Sequence, residues 1–354
     1  MLNLPLPSFD GARVLITGGL GFIGSNLAIA LVGAGARVTI IDALIPEYGG
    51  NFFNIAPVRD QVHVHVGDIC DTHAMNWLVR GQDFIFHLAG QVSHVLSLTN
   101  PFPDIEYNIK GTAVLMEAVR RHQPQARVIF TGTRGQYGSA VQLPVSEDTP
   151  TNPRGIYEIS NLTAEKIIQV YHQTHGIWAV LLRLTNTYGP RAQMKHSHYG
   201  VVNWFVRQVI DDECIQVFGD GSIQRDFLYI EDCVRALLMA ADCDEACGEV
   251  LNVGVDRPTT FLELVQTLIS VAGQGRWEFA PFSPERRAQE PGHFYSDIRK
   301  IRRIVGWEPT WELADGLRET VAYYRTYREH YWTPARPARR RAGRRAVSRP
   351  QLTV

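Results

Sequence analysis

The residues with the clearest chemical meaning lie near the start of the chain. Gly18-Gly-Leu-Gly21-Phe-Ile-Gly24 follows the apolar run Arg13–Thr17 and leads into a segment of helical periodicity over 22–32. Glycines at this spacing allow a tight turn and close backbone approach, and the helix behind them aims its free N–H groups at an anion. The next strand ends at Asp42, eighteen residues after Gly24. A carboxylate there can accept both hydroxyls of an adenosine ribose. The same charge repels a 2′-phosphate, and Ala43-Leu44 supplies no cation, so the pattern predicts NAD rather than NADP. Asp68, in Gly67-Asp-Ile69 after a third strand, either meets the adenine amine or caps the helix that starts near Thr72. Tyr157 and Asn161 stand four residues apart in a helical stretch, and four residues advance about 400°, so both lie on one face.

These groups need a scaffold, and the first two-thirds of the chain supply one. Short β-rich runs at 13–17, 37–41, 61–66, 83–88, 127–131 and 178–184 alternate with helical stretches, including 104–122 and 158–174. That alternation predicts parallel strands in a doubly wound α/β sheet. After Thr185 the pattern turns irregular, with helices expected over 201–210 and 232–241 and a late strand over 249–253. Thr260 and Glu263 form a capping box opening a further helix with Leu264, Val265, Leu268 and Ile269 on its apolar side. The expected organisation is a Rossmann domain (1–184 plus about 226–253) and a smaller, discontinuous α/β cap (about 185–225 plus 254–332).

Further motifs accompany the glycine turn. His87-Leu88-Ala89-Gly90, Asn108 before Gly111-Thr112, Tyr157 opening a helix, and Arg183-Leu-Thr-Asn186-Thr-Tyr-Gly-Pro190 occur in order. So do Phe218-Gly-Asp-Gly221, Arg225-Asp-Phe, Tyr229-Ile-Glu-Asp232 and Val305-Gly-Trp-Glu-Pro309. In this combination, over roughly 11–328, the chain resembles the extended short-chain dehydrogenase/reductase family, whose best-known branch is the nucleotide-sugar epimerases and dehydratases. The resemblance implies that Phe22, Ile23, Ile69, Leu88, Ala89, Gly90, Asn108 and Tyr157 join the glycines and acids around NAD. It also implies that Tyr157 is the catalytic base and Thr133 its hydroxyl partner. Asn186 and Arg225, joined by Arg287, are then expected near the substrate pyrophosphate. A homodimer through helices 104–122 and 158–174 is expected on the same ground.

The sequence departs from that family at the lysine usually found four residues after the tyrosine, which is Asn161 here. A phenol titrates near pH 10, and a nearby ammonium is what depresses it. Lys166 lies on the opposite helical face, which leaves Arg134 as the nearest cation in sequence and Arg154 as another. In the triplet Thr133-Arg134-Gly135 the family's dehydratases resemble Thr-Asp-Glu, and its decarboxylases keep the Glu. The expected reaction is therefore epimerisation of a nucleotide sugar through a transient ketone, with UDP-hexose at C4 as the leading form. A CDP-tyvelose-type 2-epimerase is the enzyme alternative. An NAD- or nucleotide-sugar-binding protein without turnover is the other, because of Asn161.

Composition excludes other classes. The 354 residues are 45% hydrophobic and 20% charged, as in globular proteins, and no apolar run reaches the ~18 residues a membrane span requires. Five scattered cysteines suggest reduced thiols in a cytoplasmic protein. Cys243 and Cys247 lack partners at zinc-site spacing, so no metal is expected. Seven of the 35 basic residues are arginines in 333–354, which leaves 28 basic against 36 acidic residues elsewhere. A basic tail can touch nucleic acid or anionic lipid, but a disordered, solvated extension is the expected reading.

Overall fold

A computed structural model of the chain describes residues 7–283, 287 and 290–333. The arginine tail beyond Thr333 lies outside the described residues. Strands β1 (Arg13–Thr17), β2 (Arg37–Asp42), β3 (Val62–Val66), β4 (Phe84–His87), β5 (Arg127–Thr133) and β6 (Ala179–Leu184) form the centre of one sheet, with Val250–Val253 as its seventh strand. From one edge the order is Val250–Val253, β6, β5, β4, β1, β2, β3, and every pairing is parallel. Val14, Leu15 and Ile16 of β1 are fully buried, as a strand covered on both faces requires. Each such side chain contributes about 1.5–3 kcal/mol of burial energy.

The chain runs outward from β1 to β3 in one direction and from β4 to β6 in the other. The order therefore reverses between β1 and β4, where Thr17 lies opposite His87. At such a switch point the strand ends leave a crevice for a ligand. Helix α1 (Phe22–Gly33) starts there, and the glycines make its approach feasible. Gly18 has φ +71, and a Cβ on it would come within 2.9 Å of the Ala89 Cα; one on Gly24 would lie 2.3 Å from the Gly18 carbonyl oxygen.

Some elements differ from expectation. The helical stretch 104–122 divides into a wide π turn, Asp104–Lys110, and an α-helix, Gly111–His122. The wider turn buries Asp104 and Asn108 toward the loop after β4. A 3-10 segment, Phe52–Gln61, was not legible, since Pro57 interrupts helical periodicity. Helix Ile156–His175 ends where Gly176 takes φ +67.

After β6 the chain adds small pairs: Asn186–Tyr188 with Phe227–Tyr229, and Cys214–Phe218 with Arg276–Ala280, both parallel. The sheet's outer strand is laced to an earlier part of the chain. Asn252 donates to the Val145 carbonyl at 2.9 Å and accepts from the Tyr137 hydroxyl at 2.7 Å, while Val145 forms a bridge with Ser296. The capping box at Thr260 and Glu263 forms, with Leu264, Val265 and Leu268 fully buried behind it and Ile269 partly buried.

Candidate active site

Over the switch point lies a cleft of about 330 Å³. Gly18, Gly21, Phe22, Ile23, Gly24, Asp42, Asp68, Ile69, Leu88, Ala89, Gly90 and Asn108 all line it, as do Thr133, Tyr157 and Asn161. Helix α1 carries no side-chain cap and no acid in its first turn, so its N-terminal N–H groups remain for an anion. Asp42 accepts the Leu20 and Leu44 N–H groups at 3.0 and 2.9 Å. Burial raises its pKa, and those two bonds oppose the rise. An uncapped glycine turn with a carboxylate across it fits a dinucleotide, with the diphosphate at α1 and a ribose at Asp42.

The floor of the cleft is a hydrogen-bonded chain. Thr17 and Thr112 hold the two ring nitrogens of His87 at 2.9 Å each, and the Thr17 hydroxyl also accepts the Leu88 and Ala89 N–H groups. Burial pushes His87 down to about 4, so its ring is neutral. Asn108 accepts the Gln91 N–H at 2.8 Å and donates to Ser160 at 2.9 Å and to the Gln91 carbonyl. It lines the cleft as expected, yet its bonds fasten the wall together. The cap of the helix at Thr72 is Asp71; Asp68 instead accepts the Cys70 N–H at 2.8 Å.

A second cavity of about 180 Å³ adjoins the first, and Thr133 and Tyr157 belong to both linings. The Thr133 hydroxyl is near enough to the Tyr157 phenol to lower its pKa. Burial carries the Tyr157 phenol well above its usual range and the Glu158 carboxylate adds to that, while Thr133 and the Arg134 cation act against it. Thr133 is fixed at the start of a short turn: Gly135 donates to its hydroxyl at 3.1 Å, and its own N–H goes to Gln136. Gln136 rests on Glu165, which Arg183 grips through two bonds of 2.9 and 2.7 Å. Asn161 donates to the Tyr157 carbonyl at 2.9 Å. Lys166 projects outward beside Glu165, with its side chain 58% exposed.

The expected substrate residues divide. Arg134 and Asn186 line the second cavity and lie 3.5 Å apart, Nη2 to Oδ1. Arg225 lines neither cavity; it is 3% exposed and bonds Glu290 and the Gly292 carbonyl. Arg287 is exposed, 5.9 Å from the centre of the Phe282 ring, and also lines neither.

Sequence reasoning missed two neighbours of Tyr157. His94 lines the second cavity, with its ring edge-on to Tyr157 at 4.8 Å and Nδ1 bonded to Glu158. Burial works to raise the Glu158 pKa, but the bond and charge of His94 hold it below its usual value. A Cβ on Gly135 would meet Glu158 at 2.7 Å, so that carboxylate fills the space above the glycine. The available signal was the acid next to Tyr157 in sequence.

Among the described residues no metal-binding cluster occurs, and no helix is long and apolar enough to cross a membrane. The loop residues His196 and His198 differ: His198 lines the second cavity, while His196 bonds the Glu47 carbonyl at 3.0 Å. Beside it Lys195 reaches the Pro46 carbonyl at 2.9 Å, and Tyr199 meets Tyr48 edge-on at 6.3 Å.

The profile of the family described as GDP-mannose 4,6 dehydratase matches residues 15–320. A dTDP-glucose 4,6-dehydratase of Streptomyces niveus is 33% identical over 333 residues, covering 91% of this chain and 95% of that one. The solved UDP-glucose 4-epimerase of Thermotoga maritima, with UDP-glucose, superposes at a TM-score of 0.79 and 30% identity, covering 89% and 99% of the two chains. The UDP-glucuronic acid 4-epimerase of Bacillus cereus, in complex with UDP-glucuronic acid and NAD, gives 0.80 and 29%, with the same coverage.

Proposed function

The chain belongs to the nucleotide-sugar epimerase and dehydratase family matched by that profile, and from this we propose that it is an NAD-dependent epimerase of a nucleotide-diphosphate sugar, with UDP-hexose at C4 as its substrate. The observation that carries the reading is the shared wall: Tyr157 and Thr133 both face the dinucleotide cleft and the cavity beside it. Bound NAD supplies the acceptor, and afterwards the donor, of a hydride at the carbinol carbon. Tyr157 takes the hydroxyl proton of that carbinol and later returns it to the opposite configuration. Thr133 holds the phenol in place, and Arg134 contributes the positive charge that Asn161 lacks. The second cavity is the room in which the ketone turns over.

Asn186 suits the diphosphate from its place on that cavity. Arg225, held by Glu290, acts as a buttress in this reading, and Arg287 has no part in it. Isolated cysteines support a reducing, cytoplasmic setting. Exposed Ile105, Ile159 and Val170 on the paired helical segments support a homodimer.

One observation favours dehydration as the second reading: Glu158 places a carboxylate above Gly135, beside the phenol. Incubation of the protein with NAD and UDP-glucose, followed by sugar analysis, separates the outcomes. UDP-galactose supports the epimerase, a 4-keto-6-deoxy sugar supports the dehydratase, and an unchanged sugar with bound NAD excludes UDP-glucose as the substrate.

A further inference from the structure

Arg134 is a half-buried cation on the wall of the second cavity, one residue past Thr133. Its guanidinium lies 4.9 Å from the centre of the Phe294 ring and bonds Asn186 at 3.5 Å. Among the described residues it has no ion pair, and no guanidinium nitrogen is sealed away without a partner. Its remaining N–H groups therefore open on the cavity. A cation taken out of water is costly unless an anion meets it.

Three carboxylates influence this guanidinium from nearby, and each accepts from another donor, Glu158 through Oε1 alone. Glu290 is held by Arg225, and Glu158 by His94. Asp226 receives the Thr185 and Ser296 hydroxyls and the N–H groups of Ser296 and Val255. Arg225 is the second cation, and it repels Arg134. Arg134 is thus the guanidinium on this cavity that is left for an incoming anion.

Where that anion sits on a sugar follows from the neighbours. Thr133 and Tyr157 line the cavity together and mark the reacting carbinol, and Arg134 is the next residue along. We propose that Arg134 receives a carboxylate on the carbon chain beside that carbinol, so that the preferred substrate is a nucleotide-diphosphate hexuronate rather than the neutral hexose. The guanidinium fork matches a carboxylate in two parallel bonds. The proposal rests on the nucleotide-sugar reading above and narrows it.

The test is calorimetric titration of the NAD-loaded, full-length protein with UDP-glucuronate, UDP-glucose and UDP. The wild type is expected to bind UDP-glucuronate at least tenfold more tightly than UDP-glucose. Arg134→Gln is expected to erase that difference while leaving UDP and UDP-glucose within about threefold of their wild-type affinities. Arg134→Lys keeps the charge without the fork and is expected to fall between. Equal wild-type affinities, or a preference for UDP-glucose, overturn the proposal without any variant and leave the epimerase reading standing. Equal weakening of all three ligands by Arg134→Gln assigns the arginine to the diphosphate and also overturns it. If NAD binds while neither nucleotide sugar does, the nucleotide-sugar reading fails as well.

Discussion

The Asn161 side chain donates back to the carbonyl of Tyr157, one helical turn earlier, at 2.9 Å. An amide so engaged adds no charge beside a phenol whose proton is already held tightly by burial. Asn161→Lys is expected to raise kcat at neutral pH roughly tenfold and to move the alkaline rise of the pH–rate profile down by about one unit. An unchanged profile, together with an Arg134→Ala variant of unchanged profile, would remove charge from the account of Tyr157.

Asp42 bridges two backbone N–H groups and faces the cleft at the end of β2. Asp42→Ala is expected to weaken NAD binding by about 10–100-fold and to narrow its preference over NADP, read by fluorescence titration with both dinucleotides. A loss shared equally by the two would make Asp42 a loop brace only.

Glu165 and Arg183 form a buried pair beneath the Thr133 turn. Glu165→Ala leaves that cation without its partner and releases Gln136, so urea denaturation is expected to show a loss of about 3–5 kcal/mol. A change below about 1 kcal/mol would mean that the turn is held elsewhere.

His87 is buried and neutral, with its pKa lowered to about 4. Between about pH 6.5 and 4 the unfolded chain therefore binds a proton that the folded chain does not. Stability is full above that window and falls through it as pH drops, by an amount of order 3 kcal/mol. His87→Gln is expected to flatten this part of the stability curve; an unchanged slope would exclude the group.

The sheet and the dinucleotide cleft were readable because local sequence carries them: apolar runs alternate with helices, and Gly18, Gly21, Gly24 and Asp42 are close in the chain. The second cavity was less so. His94 approaches Tyr157 from 63 residues away, and Glu158 shows its role only once Gly135 is seen beneath it. Arg225 and Arg134 look alike as isolated arginines, yet Glu290 claims one and leaves the other facing a cavity. Such distinctions depend on which polar groups are already engaged, and that is settled by tertiary contacts rather than by spacing.

The loop at 46–48 is bonded to the loop at 195–196 through Lys195 and His196, and Tyr48 leans on Tyr199. One loop follows the strand that ends in Asp42; the other leads into the wall shared by the two cavities. The rim of the dinucleotide cleft and the wall beside the second cavity are therefore joined by bonds that lie outside the sheet.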